Sequence, residues 1–322
     1  MLMASEVREI IVVGGGLAGL SAAIYLGRAL RDTLIIDAGK SMARWEPDVQ
    51  NYLGFPRGID GQELIERARQ QAQRYEVAFA EDEIKQASVE KQGFHLSGQR
   101  RSYWTRRLLL ATGIYHIPPD LEGVSECLGH SLFFCKDCDA YRIRGKQIAV
   151  YGCTNEAVSY ALAMLAYSPA VSLLTDGKPV RWDKAHGGWL GEYEIPLYGQ
   201  PITTLLREDS QIHGVRFADG KELPLQALFT TRGDVYCHKL AKELGAHLDA
   251  EGQIIVDADG ATNVRGLYAA GCVTAANCQM IIAAGQGAIA AQALNRDLLE
   301  ESLNTHSLRR FGRSTTHSLG ER

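Results

Sequence analysis

The chain has 322 residues, 46% of them apolar, so it is long enough to bury the cores of two domains. Its formal net charge is only −4, and its 34 basic and 38 acidic residues are interspersed along the sequence. This balance excludes the strong positive field that binding of nucleic acid requires. We therefore expect no nucleic acid among its partners.

The first residues of the chain show no targeting pattern. The start, MLMASEVREIIVVGGG, goes from a polar lead directly into a glycine-rich turn, without the features of a cleavable signal. No apolar run of about 18 residues, the length that spans a bilayer, occurs. We therefore expect a cytoplasmic protein that has no membrane partner.

The first predicted unit is a strand–turn–helix–strand module, EIIVVGGGLAGLSAAIYLGRALRDTLIIDAG. Its turn reads Gly14-x-Gly16-x-x-Gly19, and Asp37 follows Gly14 by 23 residues, at the end of the second strand. In this pattern small residues let the backbone approach a pyrophosphate at the helix start, and the carboxylate binds ribose hydroxyls. The complete order of elements argues against a turn that binds nothing and predicts a dinucleotide site.

The stretch SLFFCKDCDA carries two cysteines, Cys135 and Cys138, separated by two residues. Such a pair can ligate zinc, close a structural disulfide or cycle between dithiol and disulfide. Zinc is disfavoured, and we expect no metal, because a structural zinc site needs four ligands and no second C-x-x-C or H-x3-H follows. A lone C-x-x-C beside a βαβ pattern is typical of a redox dithiol.

The other five cysteines bring the total to seven, an odd number that does not fit a secreted disulfide framework. Three of them, Cys127, Cys237 and Cys278, stand at no recognisable motif spacing. We expect these three to be buried or incidental thiols without a catalytic role.

A second module of the same kind begins nine residues beyond Cys138, with the sequence QIAVYGCTNEAVSYALAMLAYSPAVSLLTDG. After Gly152, the positions of the second and third motif glycines hold Thr154 and Ala157, and Asp176 follows Gly152 by 24 residues. Thr154 adds a Cβ atom where the backbone comes closest to phosphate. The pattern, which also includes Asn155, leaves open whether the module binds a nucleotide or only maintains the fold.

The segment after residue 250 predicts a strand over residues 266–270 and a helix that starts near residue 279 and contains Gly285 and Gly287. Glycine is unfavourable inside a helix, so these two glycines indicate a close approach by another segment or a ligand. A final strand and helix that return beside the first module indicate an α/β fold of two Rossmann-like dinucleotide-binding domains, the second inserted into the first. The predicted bounds are residues 1–115 with 247–300 for the flanking domain, 116–246 for the insertion and 301–322 for a tail.

The tail, ESLNTHSLRRFGRSTTHSLGER, has no helical stripe of apolar residues. Its composition indicates disorder. Docking against a flavin or a dimer partner is the alternative.

From residue 9 to residue 299 the sequence resembles the low-molecular-weight thioredoxin reductases, which are FAD enzymes of the disulfide oxidoreductase class. The resemblance rests on GGGLAGLSAAIYLGR, NYLGFPRGIDGQELIERARQQAQRY, LLLATG, CKDCDAYRIRGKQIAVYG, GLYAAGCV and AAGQGAIAA. It implies a homodimeric enzyme that passes electrons from reduced flavin to the Cys135–Cys138 disulfide and then to a disulfide of a thioredoxin-like protein.

The resemblance also assigns roles to single residues. Cys138 faces the flavin, Cys135 exchanges with the partner, and Asp139 shuttles protons for that thiol, although an acid in this place can also cap a turn. Asp37 contacts the adenosine ribose, Asn51 lies near the flavin ring, and the last helix points at the flavin, whose negative charge its N-terminus stabilises. The full FAD set is Gly14, Gly16, Gly19, Asp37, Asn51, Gly113, Gly271, Cys272 and Gln279.

The sequence departs from the family at both nucleotide sites. In the second module, Asp176 stands where family members carry the cations that hold the 2′-phosphate of NADPH, so the sequence argues against NADPH. In the first, the family's Gly-Asp-Val appears as Gly271-Cys272-Val273, and the arginine before Gln279 is Cys278. Thiols are weak hydrogen-bonding groups, so we expect one strong contact to FAD to be missing.

With these losses the sequence resembles the nicotinamide-independent branches of the family. One branch comprises the ferredoxin-linked flavin thioredoxin reductases. The other, which the sequence resembles more, comprises the diflavin-linked disulfide oxidoreductases of cyanobacteria. The second branch implies a second FAD at Gly152, Thr154, Asn155, Ala157 and Asp176, because any adenosine with a free 2′-hydroxyl suits the acid. Two alternatives are an NAD(P)H-dependent thioredoxin reductase with an eroded phosphate loop and a non-enzymatic flavin-binding redox sensor.

Overall fold

The computed structural model describes residues 7–310. The chain divides into two compact units, each of which contains more than one segment. The first unit takes its residues from Met1–Ala43, Leu64–Ile114 and Tyr236–Arg322, and the second from Arg44–Glu63 and Tyr115–Val235. The interrupted first unit agrees with the predicted insertion of one Rossmann-like domain into another.

The limits of the units differ from the predicted domain limits. Residues 44–63 group with the second unit, whose second segment begins at Tyr115, and the chain returns to the first unit at Tyr236. In addition, the last helix continues to Asn304, past the predicted start of the tail. Sequence patterns mark helices and strands, whereas contacts in space decide which unit a connecting segment joins. The predicted tail beyond residue 310 lies outside the described residues.

The described residues form strands, α-helices and two short 3₁₀ helices, Met42–Trp45 and Ala140–Ile143. The strands are β1 (Arg8–Val13), β2 (Thr33–Asp37), β3 (Ala78–Glu81), β4 (Ile84–Glu90), β5 (Gly93–Gly98), β6 (Ser102–Leu110), β7 (Ile114–His116), β8 (Leu132–Phe133), β9 (Ile148–Tyr151), β10 (Val171–Leu174), β11 (Leu197–Tyr198), β12 (Ile202–Glu208), β13 (Gln211–Phe217), β14 (Glu222–Pro224), β15 (Ala227–Thr230), β16 (Asp234–Tyr236) and β17 (Leu267–Ala269). The helices are α1 (Leu17–Arg28), α2 (Gly61–Gln73), α3 (Val124–Cys127), α4 (Lys136–Asp139), α5 (Asn155–Met164), α6 (Lys184–Glu192), α7 (Lys239–Glu243) and α8 (Met280–Asn304).

The first unit is built on a mixed sheet with the strand order β3-β2-β1-β6-β5-β4. The strands β3, β2, β1 and β6 are parallel, whereas β5 is antiparallel to both β6 and β4. Strand β17 pairs in parallel with the second half of β6, and β5 pairs with its first half. The run of buried residues from Ile10 to Val13 fits a central parallel strand that is covered on both faces.

Helices α1 and α8 pack against each other in the first unit. A Cβ atom on Gly287 would lie 2.0 Å from the backbone oxygen of Ala18, so only glycine permits this approach. The same position on Gly285 has no atom within 4 Å. The prediction that the helical glycines mark a close approach by another segment or a ligand is confirmed at Gly287, whereas no protein segment approaches Gly285.

The second unit contains a parallel sheet with the strand order β11-β10-β9-β15-β8 and an antiparallel sheet of β12, β13 and β14. The order β9-α5-β10 repeats β1-α1-β2 of the first unit, which confirms the internal repeat. Strands β7 and β16 pair separately. No helix within residues 7–310 is both long and apolar enough to cross a membrane.

The difference between the two helical glycines predicts opposite effects of the same substitution. Gly287→Ala forces a Cβ atom against the Ala18 carbonyl and should destabilise the protein by about 1–3 kcal/mol. Gly285→Ala meets no neighbour and should stabilise it by about 0.5–1 kcal/mol, because alanine is the better helix former. Urea unfolding of the purified proteins, followed by circular dichroism, measures both. Equal midpoints for the two variants would contradict this packing.

Candidate active site

The glycine-rich turn after β1 brings backbone segments closer together than any side chain permits. Gly14 has a φ angle of +115°, and a Cβ atom there would lie 2.1 Å from the Ala111 carbonyl oxygen. A Cβ atom on Gly19 would lie 2.0 Å from the carbonyl oxygen of Gly14. These two glycines therefore let α1 begin directly beside the carboxyl end of β1.

The start of α1 has the chemistry of an anion site. Gly16 is its N-cap and has no side chain to cap the first N–H groups, and the first turn carries no acidic residue. Backbone N–H groups at the start of a 12-residue helix attract negative charge. The turn and the helix start therefore fit the pyrophosphate of FAD.

Asp37 lies at the end of β2, next to the same turn. Its Oδ1 atom accepts hydrogen bonds from the N–H groups of Gly15, at 3.2 Å, and Gly39, at 3.1 Å. The carboxylate thus supports the glycine turn itself. Asp37 also stands at the carboxyl end of β2, the position that the ribose-binding acid occupies in the dinucleotide pattern.

The remaining residues predicted to bind FAD lie in several loops. Gly113 has a φ angle of +69°, and its carbonyl oxygen accepts a hydrogen bond from the N–H of Cys237 at 3.0 Å. Gly271 has a φ angle of +84° and donates its N–H to Oε1 of Gln286 at 3.0 Å. Gln279 is the N-cap of α8. Asn51 is exposed and belongs to the segment that groups with the second unit.

Cys272 and Cys278 form a disulfide, with 4.9 Å between their Cα atoms. The expectation that Cys278 is a buried or incidental thiol is therefore wrong, since this residue is exposed and is bonded in a disulfide. The sequence did not reveal the pair because its spacing of six residues matches no redox or metal motif, and because each cysteine stands in place of a different family residue.

The other three cysteines are free thiols. Cys127 is buried, as expected, Cys153 is also buried, and Cys237 is half-buried. Burial raises the pKa of Cys127 and of Cys237, so neither of these two is activated as a thiolate.

Cys135 and Cys138 form a disulfide at the start of α4, with 5.3 Å between their Cα atoms. Cys135 is the N-cap of this short helix, and its Sγ accepts a hydrogen bond from the N–H of Cys138 at 3.2 Å. The structure thus confirms the pairing predicted from the C-x-x-C spacing. The intervening charges pair with each other, since Lys136 Nζ lies 2.6 Å from Oδ1 of Asp137.

Asp139 follows the disulfide and is only 2% exposed. It precedes a 3₁₀ helix, but its side chain makes no capping hydrogen bond there. Its Oδ1 accepts a hydrogen bond from Nη2 of Arg142 at 2.7 Å, while Oδ2 is buried and has no partner. This half-paired carboxylate is better placed to carry a proton than to cap a turn.

Charges around Asp139 set its protonation. Burial, and then the negative charge of Glu46, raises the pKa of Asp139 from 3.8 to about 7, although Arg142 opposes the shift. Burial also raises the pKa of Glu46. Sequence reasoning missed Glu46 and Arg142, because no motif links these two residues to the disulfide. Asp139 therefore titrates near neutral pH, as a proton carrier must.

The loop after β9 repeats part of the glycine geometry of the first unit. A Cβ atom on Gly152 would lie 2.1 Å from Oγ1 of Thr231 and 2.7 Å from the Cβ atom of Ala157. Thr154 is the N-cap of α5, and its Oγ1 is buried without a hydrogen-bond partner. Next to it, Arg181 donates its N–H to the Cys153 carbonyl at 2.7 Å. The second loop thus preserves close packing but changes the surroundings of the helix start.

Two predicted polar residues of the second module are engaged by protein groups. Asn155 bonds reciprocally with Asp183, through its amide nitrogen at 3.0 Å and its oxygen at 2.9 Å. Asp176 accepts hydrogen bonds from the Tyr151 hydroxyl and from the N–H of Ile202, the latter at 2.8 Å. A carboxylate has about four acceptor sites, so a ribose hydroxyl would share Asp176 with these donors.

Comparison with known proteins identifies the family. Residues 8–291 match the model of the pyridine nucleotide-disulphide oxidoreductases. The chain is 30% identical to a thioredoxin reductase of Treponema pallidum, across 88% of this chain and 95% of the relative, and 31% identical to one of Coxiella burnetii, across 92% and 97%. A solved structure, a putative thioredoxin reductase from Bacillus anthracis, superposes with a TM-score of 0.84 at 25% identity, across 91% of this chain and 99% of that one.

The chain belongs to the pyridine nucleotide-disulphide oxidoreductase family and is a flavin-dependent disulfide oxidoreductase of the thioredoxin reductase type. The predicted fold class and the predicted enzyme class are thereby confirmed.

The raised pKa of Asp139 predicts a pH dependence of disulfide exchange. As the pH rises through about 7, the carboxylate ionises and can accept the proton of a thiol, so exchange should accelerate. Asp139→Asn should abolish this inflection and slow exchange at least about 100-fold. Stopped-flow mixing of pre-reduced enzyme with a disulfide substrate, across neutral pH, measures the profile.

Asp137→Asn provides the matched control, because this acid is exposed in the same helix. It should preserve the inflection. An unchanged inflection in Asp139→Asn would show that another group carries the proton.

Proposed function

We propose that the protein reduces the disulfide of a thioredoxin-like protein with electrons from reduced flavin, and that NADPH is not the electron donor. The residue that argues against NADPH is Asp176. It follows β10, in the place where a 2′-phosphate would need cations.

The first unit supports FAD binding through its backbone. The close packing of Gly14 and Gly19 sets the uncapped start of α1 beside the carboxyl end of β1, where a pyrophosphate would bind, and Asp37 stands at the ribose position. Bound FAD supplies a carrier that accepts electrons singly or in pairs. The chain itself supplies the binding site, the dithiol and the proton carrier.

The dithiol form of Cys135 and Cys138 would reduce a partner in two exchanges. The Cys135 thiolate attacks one sulfur of the partner disulfide and forms a mixed disulfide. Cys138 then attacks the Cys135 sulfur, so that the internal disulfide forms again and the partner leaves as a dithiol. The N–H of Cys138, which points at the Cys135 sulfur, stabilises the attacking thiolate, and Asp139 transfers the proton.

Electrostatic repulsion by Asp176 disfavours the 2′-phosphate of NADPH. Two unit charges 4 to 5 Å apart repel each other by roughly 3–4 kcal/mol at an effective dielectric constant of about 20. Two cations, Lys178 and Arg181, follow β10 and would offset part of this repulsion. Nζ of Lys178 already lies 3.9 Å from Asp176 and donates to the Tyr151 hydroxyl at 3.2 Å, and Nη2 of Arg181 lies 3.8 Å from Cys153 Sγ. A 2′-phosphate would therefore face a carboxylate whose charge these cations offset only in part.

We further propose that the inserted unit holds a second FAD. The unit retains the strand, the helix and the acid of an adenosine site, and Asp176 suits a free 2′-hydroxyl. Two flavins could pass electrons from a one-electron carrier such as ferredoxin to a two-electron disulfide. The competing proposal is an NAD(P)H-dependent reductase with an eroded phosphate loop. Homodimer formation, which the resemblance implies, is part of the proposal.

Anaerobic reduction of the flavin tests the donor. NADPH should leave the flavin oxidised on the time scale of seconds, dithionite should bleach it, and a disulfide substrate should then restore its colour. The Cys138→Ser variant, which lacks the internal disulfide, should bleach with dithionite but should not recover with the disulfide substrate. Rapid bleaching by NADPH would reject the donor assignment, and recovery in Cys138→Ser would reject the electron route.

The number of FAD molecules released on denaturation tests the second site. After saturation with FAD, the wild-type protein should release about two per chain, and Asp176→Asn should lower this ratio toward one, because the adenosine site loses its carboxylate. Asp219→Asn removes an exposed acid between β13 and β14 and should leave the ratio unchanged. A wild-type ratio near one would rule out a second FAD.

A further inference from the structure

The disulfide between Cys272 and Cys278 has no part in the proposed reduction of a partner protein. We propose that it is a second thiol–disulfide exchange site of the protein, and that an external dithiol opens it by attack on the Sγ atom of Cys278. The loop lies between Gly271 and Gln279, which the resemblance assigns to FAD, so the experiments below use FAD-loaded protein.

The two sulfur-bearing residues differ in their access to solvent. Cys278 is exposed and Cys272 is half-buried, whereas Cys135 and Cys138 are both half-buried. Thiol–disulfide exchange requires a thiolate to reach one sulfur, so access decides which sulfur is attacked. In this disulfide the accessible residue is Cys278, and Cys272 is consequently the leaving thiol.

The first half of the loop is held in place without the disulfide. The N–H of Thr274 donates to the Gly271 carbonyl at 2.9 Å, and its Oγ1 donates to the same oxygen at 2.8 Å. Gln286 of α8 accepts the Gly271 N–H at 3.0 Å, and the Val273 carbonyl accepts the N–H of Ile254 at 2.8 Å. Reduction of the disulfide would therefore leave residues 271–274 attached to the rest of the unit.

In the second half of the loop, residues 275–279, two backbone hydrogen bonds join residues that are close together in the sequence. The N–H of Ala276 donates to the Thr274 carbonyl at 2.8 Å, and that of Gln279 donates to the Asn277 carbonyl at 2.9 Å. The disulfide connects the end of this half to its start, over a sequence separation of six residues. Because a short closed loop constrains the unfolded chain less than a long one does, the fold should tolerate loss of this bond.

The exchange balances in atoms and electrons. One thiolate of a dithiol attacks Cys278 Sγ, which forms a mixed disulfide and breaks the Cys272–Cys278 bond. The second thiol of the reagent then attacks its own bonded sulfur, which closes the reagent disulfide and releases Cys278. The dithiol loses two electrons and two protons, and Cys272 and Cys278 gain them as two thiols.

Alkylation of the FAD-loaded double variant Cys135→Ser/Cys138→Ser tests the proposal. This variant lacks the first disulfide, so only the Cys272–Cys278 bond can exchange. After incubation with dithiothreitol and trapping with N-ethylmaleimide, mass spectrometry of the peptide that contains residues 272–278 should show both cysteines alkylated in protein that keeps its folded circular dichroism spectrum. In a parallel sample, replacement of dithiothreitol by an excess of its oxidised form before trapping should close the bond again and protect both cysteines from alkylation. Alkylation that begins only when the protein unfolds would show a permanent structural bond and overturn the proposal.

Single substitutions in the same background test the order of attack. Cys272→Ser leaves Cys278 as a thiol, and Cys278→Ser leaves Cys272. The thiol at residue 278 should react with N-ethylmaleimide at least about tenfold faster, because it is the more exposed of the two. The other free thiols, Cys127, Cys153 and Cys237, are the same in both variants. Faster reaction at residue 272 would overturn the assignment of Cys278 as the attacked sulfur.

Discussion

Close approach of backbone segments around the turn after β1 is the constraint on which the first unit depends. Any side chain at Gly14 or Gly19 would collide with a carbonyl oxygen, so the spacing of strand and helix is set by the absence of Cβ atoms. This packing brings the start of α1 to the carboxyl edge of the parallel sheet. Gly287 of α8 approaches Ala18 in the same manner, so the final helix also depends on a missing side chain.

The second unit keeps the same close packing although its turn differs in sequence from that of the first unit. Gly152 and Ala157 still pack closely, which keeps strand and helix in the same arrangement as in the first unit. The polar groups around them have changed, with Thr154 at the helix start and Asp176 bonded to Tyr151. Backbone packing thus preserves the fold, while side chains at the sheet edge decide which nucleotide is accepted.

Both disulfides of this chain close short loops beside helix starts. They join residues that are three and six positions apart, one at the start of α4 and one just before α8. A bond that closes a short loop stabilises the fold less than a bond that closes a long one. At the first disulfide, the buried Asp139 adds a carboxyl group that titrates near neutral pH, where thiol exchange needs proton transfer.

The sequence by itself determined the two βαβ modules, the insertion of one into the other and the Cys135–Cys138 pair. Each of these depends on spacings between residues that are near one another in the chain, and such spacings can be read directly. Only the tertiary structure decided that Cys272 bonds to Cys278 and that residues 44–63 join the second unit. It alone also placed the charge of Glu46 close enough to raise the pKa of Asp139. The physical reason is that burial and electrostatic interaction depend on distances in space, and these residues are brought together by folding rather than by a local sequence pattern.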